Sequence, residues 1–159
     1  MRLSPDAPPR QPRVPFALQT RQIQYCARLR HAVRKHRIAL FDFCVASNHI
    51  HLLGMCNHLG DLSRFMQSLE GEYAKYYDLR KHRSGSFWEE RVHCTMIDGG
   101  DRLWSCRRHI ELNMVHAGIV GHPREWARCG YQELVAGRER FRLLEIDRLH
   151  GVVALHYLG

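Results

Sequence analysis

The sequence predicts a small α+β domain in which an antiparallel sheet carries helices packed on one face. Three observations carry this expectation. Apolar residues recur at helical spacing in three separate stretches. Between the first two of these lie two short runs of strand formers, parted by the turn pair Ser47-Asn48. At 159 residues the chain is long enough for one domain with a real core and too short for two.

The elements follow in chain order. Residues 1–16 hold five of the six prolines and no hydrophobic period, and read as a flexible lead-in. Over 18–36, Leu18, Tyr25, Cys26, Leu29 and Val33 mark the inner face of a helix, with Arg21, Arg28, Arg30, Arg34 and Lys35 outside. Residues 38–46 and 49–55 read as paired strands. Gly60-Asp61 offers a helix start, and Leu62, Phe65, Met66, Leu69, Tyr73, Tyr76 and Tyr77 continue at helical spacing. That helix ends in Arg80-Lys81-His82-Arg83, closed by Ser84-Gly85-Ser86. Residues 87–97 are expected to contain a third strand. A turn at 98–101 then leads into a helix over 101–117, stopped by Gly118. Residues 17–135 thus form one domain, and 136–159 a C-terminal extension that is the least legible part.

Composition narrows the function classes. The formal net charge of +8 suits a polyanionic partner, most often nucleic acid. With 45% apolar and 25% charged residues the chain reads as globular, and no run approaches the roughly 20 apolar residues of a membrane span. Six cysteines are scattered with no CxxC pair, so no disulfide framework is expected and the cytoplasm is the natural compartment. Twelve histidines raise the prospect of metal or phosphate chemistry.

His49 and His51 lie two apart on a strand, so both imidazoles project from one face while Ile50 and Leu52 point into a core. Two neutral imidazoles are half of a divalent-metal site and need a third donor. The helix over 101–117 offers one. Ser105, His109, Asn113 and His116 form its polar stripe, and Leu103, Cys106, Ile110, Met114 and Ala117 the apolar one. The amide oxygen of Asn113 would complete a nitrogen, nitrogen, oxygen set with room for a phosphate oxygen.

Several motifs then occur in one register. Ser47-Asn48-His49-Ile50-His51-Leu52-Leu53 resembles the "NHxHLL" signature of the single-tyrosine HUH transposases, particularly their REP-associated branch. Leu62-Ser63-Arg64-Phe65-Met66-Gln67, Tyr73-Ala74-Lys75-Tyr76-Tyr77 and Arg83-Ser84-Gly85 resemble the helix and basic loop that follow it. Phe87-Trp88-Glu89-Glu90-Arg91 resembles the next strand's lead-in. His109-Ile110-Glu111-Leu112-Asn113-Met114-Val115-His116-Ala117-Gly118 resembles the "YIxLNPVRAG" helix, and Pro123-Arg124-Glu125-Trp126 with Gly130-Tyr131 its exit.

The resemblance implies an HUH (ferredoxin-like) palm in which His49, His51 and Asn113 bind Mg²⁺ or Mn²⁺. It implies a substrate of hairpin-bearing single-stranded DNA, cut by a tyrosine that leaves a 5′-phosphotyrosine and a free 3′-OH. That tyrosine position is His109 here. Three readings follow: a decayed or repurposed copy that binds DNA hairpins without cutting, a takeover by Tyr73, Tyr76 or Tyr77, or attack by His109 itself. A neutral His109 is also a further metal ligand in principle. The Pro-rich start stands where family members usually open with a β-strand, so a sheet lacking its first strand is expected, with unpaired backbone beside the gap. Arg80, Lys81, His82, Arg83 and Arg91 form the densest basic patch and are the expected phosphate contacts, with Phe87 or Trp88 able to stack on a base. The expected assembly is a monomer or homodimer.

Overall fold

The computed structural model describes residues 16–82, 92–135 and 142–157. Helix α1 (Phe16–Lys35) leads into strands β1 (Ala39–Val45) and β2 (Ile50–Met55), and helix α2 (Leu59–Lys81) returns from them. Helix α3 (Gly100–His116), a 3-10 turn (Pro123–Glu125), a short α4 (Tyr131–Leu134) and α5 (Ile146–Tyr157) complete the order. The α+β class and the two expected strands are present.

The strands pair antiparallel, with Val45 opposite Ile50, Cys44 opposite His51, Phe43 opposite Leu52 and Asp42 opposite Leu53. The register then slips, so that Leu40 faces Gly54 and Phe41 is the extra residue of a bulge. A bulge turns two successive side chains to one side. Phe41 packs in the core beneath α3, and the next residue, Asp42, meets Arg107 of the same helix.

Helices cover both faces of the sheet, which corrects the expectation of one. On the first face Leu40, Phe43, Val45, Ile50 and Leu52 meet Tyr25, Leu29 and Val33 of α1 and Phe65, Leu69 and Tyr73 of α2. On the second Ala39, Phe41, Cys44 and Leu53 meet Leu103, Ile110 and Met114 of α3, together with Trp126 and Leu149. The physical reason is that β1 is buried at all seven positions. A strand with no solvent side reads as a continuous apolar run rather than an alternating one, and both of its sides need cover.

A second difference concerns the described part of the stretch expected to contain a third strand. Residues 92–98 form no strand, and Val92 and Met96 stand exposed; residues 87–91 lie outside the described residues. The apolar side of that stretch finds no sheet to cover it. Among the described residues the sheet has two strands.

The outer edge of β1 is nevertheless satisfied. Val45 donates its N–H to the Arg128 carbonyl at 2.9 Å, while Gly130 and Glu145 donate theirs to the carbonyls of Phe43 and Leu40, both at 2.8 Å. The Val45 carbonyl accepts from Trp126 Nε1 at 3.2 Å. Irregular chain from beyond α3 therefore does the hydrogen bonding that a neighbouring strand would do. The described part of the 136–159 extension folds into the same body, since Leu143 and Leu149 are both buried in the core.

Helix α3 is stopped as its sequence implies. Gly118 has φ of 68°. Its N–H reaches the Val115 carbonyl, and the Ile119 N–H reaches that of Met114. These two bonds define a Schellman end. All six cysteines are free thiols. No helix among the described residues is long and apolar enough to cross a membrane.

Candidate functional site

Four sequence-predicted side chains meet on the α3 side of the sheet. His51 projects from β2 on the side opposite Ile50 and Leu52, and His49 stands just before that strand. Asn113 of α3 lies between them: its Oδ1 is 3.0 Å from His49 Nε2, and its Nδ2 is 3.1 Å from His51 Nε2. The two imidazole rings are edge to face, with centroids 5.1 Å apart. One turn back along α3, His109 is edge-on to His51 at 5.5 Å. Helical spacing does the rest, because residues four apart share a face, and Leu103, Ile110 and Met114 on the opposite stripe fix which face that is. Ala117, expected on the apolar stripe, is the exposed C-cap instead.

The donor set suits a hard-to-borderline divalent ion. Cis ligands at about 2.1 Å in an octahedron stand about 3.0 Å apart, the separation found between His49 Nε2 and Asn113 Oδ1. His51 is held below the ordinary imidazole range, first by burial and then by His49 and His109, which favours the neutral ring a metal needs. Among the described residues no three His, Cys, Asp or Glu side chains form a metal-holding group. The Asn113 amide is the further donor in contact with both imidazoles, and His109 stands beside the pair without completing a three-imidazole cage.

Asn48 adds a partner that sequence reasoning placed only in a turn. Its Oδ1 is 2.9 Å from His49 Nδ1. A carbonyl oxygen there favours the Nδ1–H tautomer, which keeps the Nε2 lone pair available to an ion shared with Asn113 Oδ1. The other unforeseen group lies under α3. Asp42 is fully buried, and its Oδ1 accepts the Phe43 N–H at 2.7 Å. Its Oδ2 has no hydrogen-bond partner and lies 3.8 Å from Arg107 Nε. Arg107 itself pairs with Glu111 at 2.8 Å. Burial, then Glu111, pushes the Asp42 carboxyl up to about 8, against the Phe43 N–H and Arg107. A guanidinium already paired with Glu111 and too distant to hydrogen-bond does little to offset that burial. A carboxylate inside an apolar strand was the available signal, because a buried polar group is the informative exception.

The three tyrosines are not brought to the histidines. Tyr73 is buried between α1 and α2, 5.1 Å from the Tyr25 ring, and burial raises its ionisation further. Tyr76 lies under the Arg28 guanidinium and Tyr77 under that of Arg21. All three sit with α1 on the opposite face of the sheet from His51. Of the basic patch, Arg80 is exposed and donates to Tyr76 Oη at 3.2 Å, Lys81 is the last residue of α2, and His82 is its left-handed C-cap. Arg83 and Arg91, like Phe87 and Trp88, lie outside the described residues.

No curated protein and no solved structure matches the chain. The family model described as "Transposase IS200 like" matches residues 12–113, a span that takes in α1, both strands, α2 and α3 as far as Asn113. A match over more than half of the chain, ending on the amide that joins the two histidines, makes this protein a member of the IS200-like transposase family.

Proposed function

We propose that this chain holds Mg²⁺ or Mn²⁺ through His49 Nε2, His51 Nε2 and Asn113 Oδ1, and uses that centre to grip a phosphate of hairpin-bearing single-stranded DNA. The observation that carries the reading is the convergence of the two imidazoles on one amide. When bound, the ion would polarise a phosphate oxygen and raise the electrophilicity of phosphorus. The chain's own contribution is placement: β2 and α3 bring ring nitrogens and amide together on a buried scaffold. Contacts also connect this site to the basic end of α2. Gln22 of α1 donates to the Val45 carbonyl, the neighbouring Arg21 carbonyl accepts from Tyr73, and Arg80 lies two turns beyond Tyr73. A strand leaving the histidines over the 45–50 end of the sheet would run toward that basic end.

His109 stands at the family's nucleophile position, and we read the protein as a strand-binding descendant in which tyrosine chemistry is lost. Side chains that act as one catalytic unit seldom survive replacement of a member. One observation favours a second reading, in which cleavage continues by another route: His109 is exposed on the site's helix face and its ring is 5.5 Å from His51. There an imidazole nitrogen would attack phosphorus, the N–P bond forming as the P–O3′ bond breaks. The departing 3′ oxygen would take up a proton.

One experiment separates them. The protein is incubated with Mn²⁺ and labelled hairpins bearing single-stranded flanks. Binding without cleavage, with cleavage appearing in His109→Tyr, supports the non-cutting descendant. A covalent adduct that His109→Ala abolishes establishes the histidine nucleophile. No DNA affinity at low salt, or affinity untouched by His51→Ala and by chelator, overturns the metal-centred reading.

A further inference from the structure

Helix α1 carries Arg21, Arg28, Arg30, Arg34 and Lys35 and not one acidic residue. Its neighbour α2 engages three of these cations. Arg21 and Arg28 lie over Tyr77 and Tyr76, and Lys35 reaches Glu72 at 3.7 Å. Arg30, Arg34 and the following Arg37 pair with no carboxylate among the described residues; Arg34 and Arg37 are exposed, and the Arg30 Nε is buried without a hydrogen-bond partner.

Arg37 is the telling member. It has φ of 53°, in the left-handed region. Its N–H reaches the Arg34 carbonyl and the Ile38 N–H reaches that of Val33, the same Schellman end that closes α3. In α3 that position is filled by Gly118, as sterics prefer. A helix dipole accounts for cations in the last turn, but not for a side chain at the position where glycine is cheapest.

We infer that Arg30, Arg34 and Arg37 form a phosphate-contacting surface on the α1 side, fitted to the base-paired stem of the nucleic acid whose single strand the histidine site holds. This rests on the DNA-binding reading above. The chemistry favours a duplex over an unpaired strand. Single-strand surfaces need aromatic platforms for bases, and among the described residues on this side Tyr25 and Tyr73 are buried while Tyr76 and Tyr77 are covered by guanidinium groups. What remains is fixed positive charge, which contacts a regular phosphate backbone without reading its sequence. From residue 30 to residue 37 the helix advances roughly 10 Å, about three phosphates along one strand at 3.4 Å each.

The test compares a labelled DNA hairpin with an unstructured single strand of equal length across a salt series. The variants are Arg37→Gly and the pair Arg30→Gln with Arg34→Gln. Arg37→Gly is chosen because it relieves the left-handed backbone, so its Tm is expected at or above that of the parent chain. Hairpin affinity is expected to fall several-fold, and the slope of log K against log salt to shrink by about 0.9 for each phosphate no longer neutralised. Single-strand affinity and Mn²⁺ binding are expected to stay as they were. Unchanged hairpin affinity and slope in both variants would overturn the surface while leaving the metal centre standing. Equal losses for hairpin and single strand would also overturn it, because the arginines would then serve the strand path. A parent chain that binds neither DNA would remove both readings together.

Discussion

On the α1–α2 side of the sheet, Leu40, Phe43 and Val45 meet Leu29, Phe65 and Leu69 in a mainly hydrocarbon contact, with Gln22 as its buried amide, donating to the Val45 carbonyl. On the α3 side the same strand presents a buried carboxyl at Asp42. Its partner β2 presents His51, and the helix above answers with Arg107, Glu111, His109 and Asn113. One face spends its area on burial and the other gives up some for polar groups that must be held in place. The difference teaches where stability and chemistry reside in a domain this small, and it can be broken by substitutions on either side.

The largest effect belongs to the apolar face. Phe43 is fully buried at the centre of that core. Phe43→Ala is expected to cost about 3–5 kcal/mol, from lost transfer free energy plus the cavity left behind. Urea unfolding reads this directly. The remaining folded fraction is expected to bind Mn²⁺ as before, because no site ligand touches that face. Weakened metal binding in a fully folded variant would show that the two faces are not separable.

A smaller effect is expected under α3, at Gly130. A methyl group there would lie 2.2 Å from Asp42 Oδ1 and 3.2 Å from Leu144 Cδ1. The carboxyl cannot swing away freely, because Oδ1 holds the Phe43 N–H. Gly130→Ala is expected to destabilise by about 1–3 kcal/mol. The loss should shrink when Asp42→Ala is combined with it, a positive coupling that a double-mutant cycle measures. Additive losses would mean that the carboxyl is not what crowds the glycine.

Asp42 also gives the polar face its own pH signature. Its folded carboxyl titrates at about 8, well above the ordinary carboxylate range. The native state keeps a proton that the unfolded chain releases above about 4. This contribution to stability is therefore full below about 4 and is lost as pH rises through about 8. Asp42→Asn is expected to flatten that slope between pH 5 and pH 9 in denaturation curves. A parent chain whose stability rises over this range, with the rise abolished by Asn, would instead make Asp42 an ionised partner of Arg107.

The two faces were unequally legible in the sequence. Helical spacing in α1, α2 and α3 and the turn pair Ser47-Asn48 were sufficient for most of the element order, because each element shows its period to a reader of one chain. The sandwiching of β1 was not seen, although a run interrupted only by Asp42 and apolar on both sides was already incompatible with an open face. Of the stretch expected to contain a third strand, the described residues 92–97 form none, and strand formation depends on a neighbour that local sequence does not reveal. Similarly, nothing local says that Arg128, Gly130 and Glu145 would return to bond the outer edge of β1. In the site, His49, His51 and Asn113 were legible by spacing and resemblance. The sequence pattern also marked Tyr73, Tyr76 and Tyr77 without telling which side of the sheet they would take. Asn48 and Asp42 were visible as residues but not as parts, since their roles exist only through an atom-to-atom approach.

The smallest expected effect falls on Asn48, and it tests whether the polar face is organised beyond its ligands. The side chain is exposed, so Asn48→Ala is expected to leave Tm unchanged. Its Oδ1, 2.9 Å from His49 Nδ1, favours the tautomer that keeps the Nε2 lone pair for an ion shared with Asn113 Oδ1. Loss of such an orienting partner typically weakens metal binding 10- to 100-fold. Because Asn48 is exposed and water can partly replace it, about tenfold weaker Mn²⁺ binding is expected by titration calorimetry. Asn48→Asp is expected to restore or exceed the parent affinity, since a carboxylate accepts the same Nδ1–H more strongly. A mere loop role would affect both variants alike, whereas recovery with Asp and loss with Ala would tie the effect to the accepting oxygen.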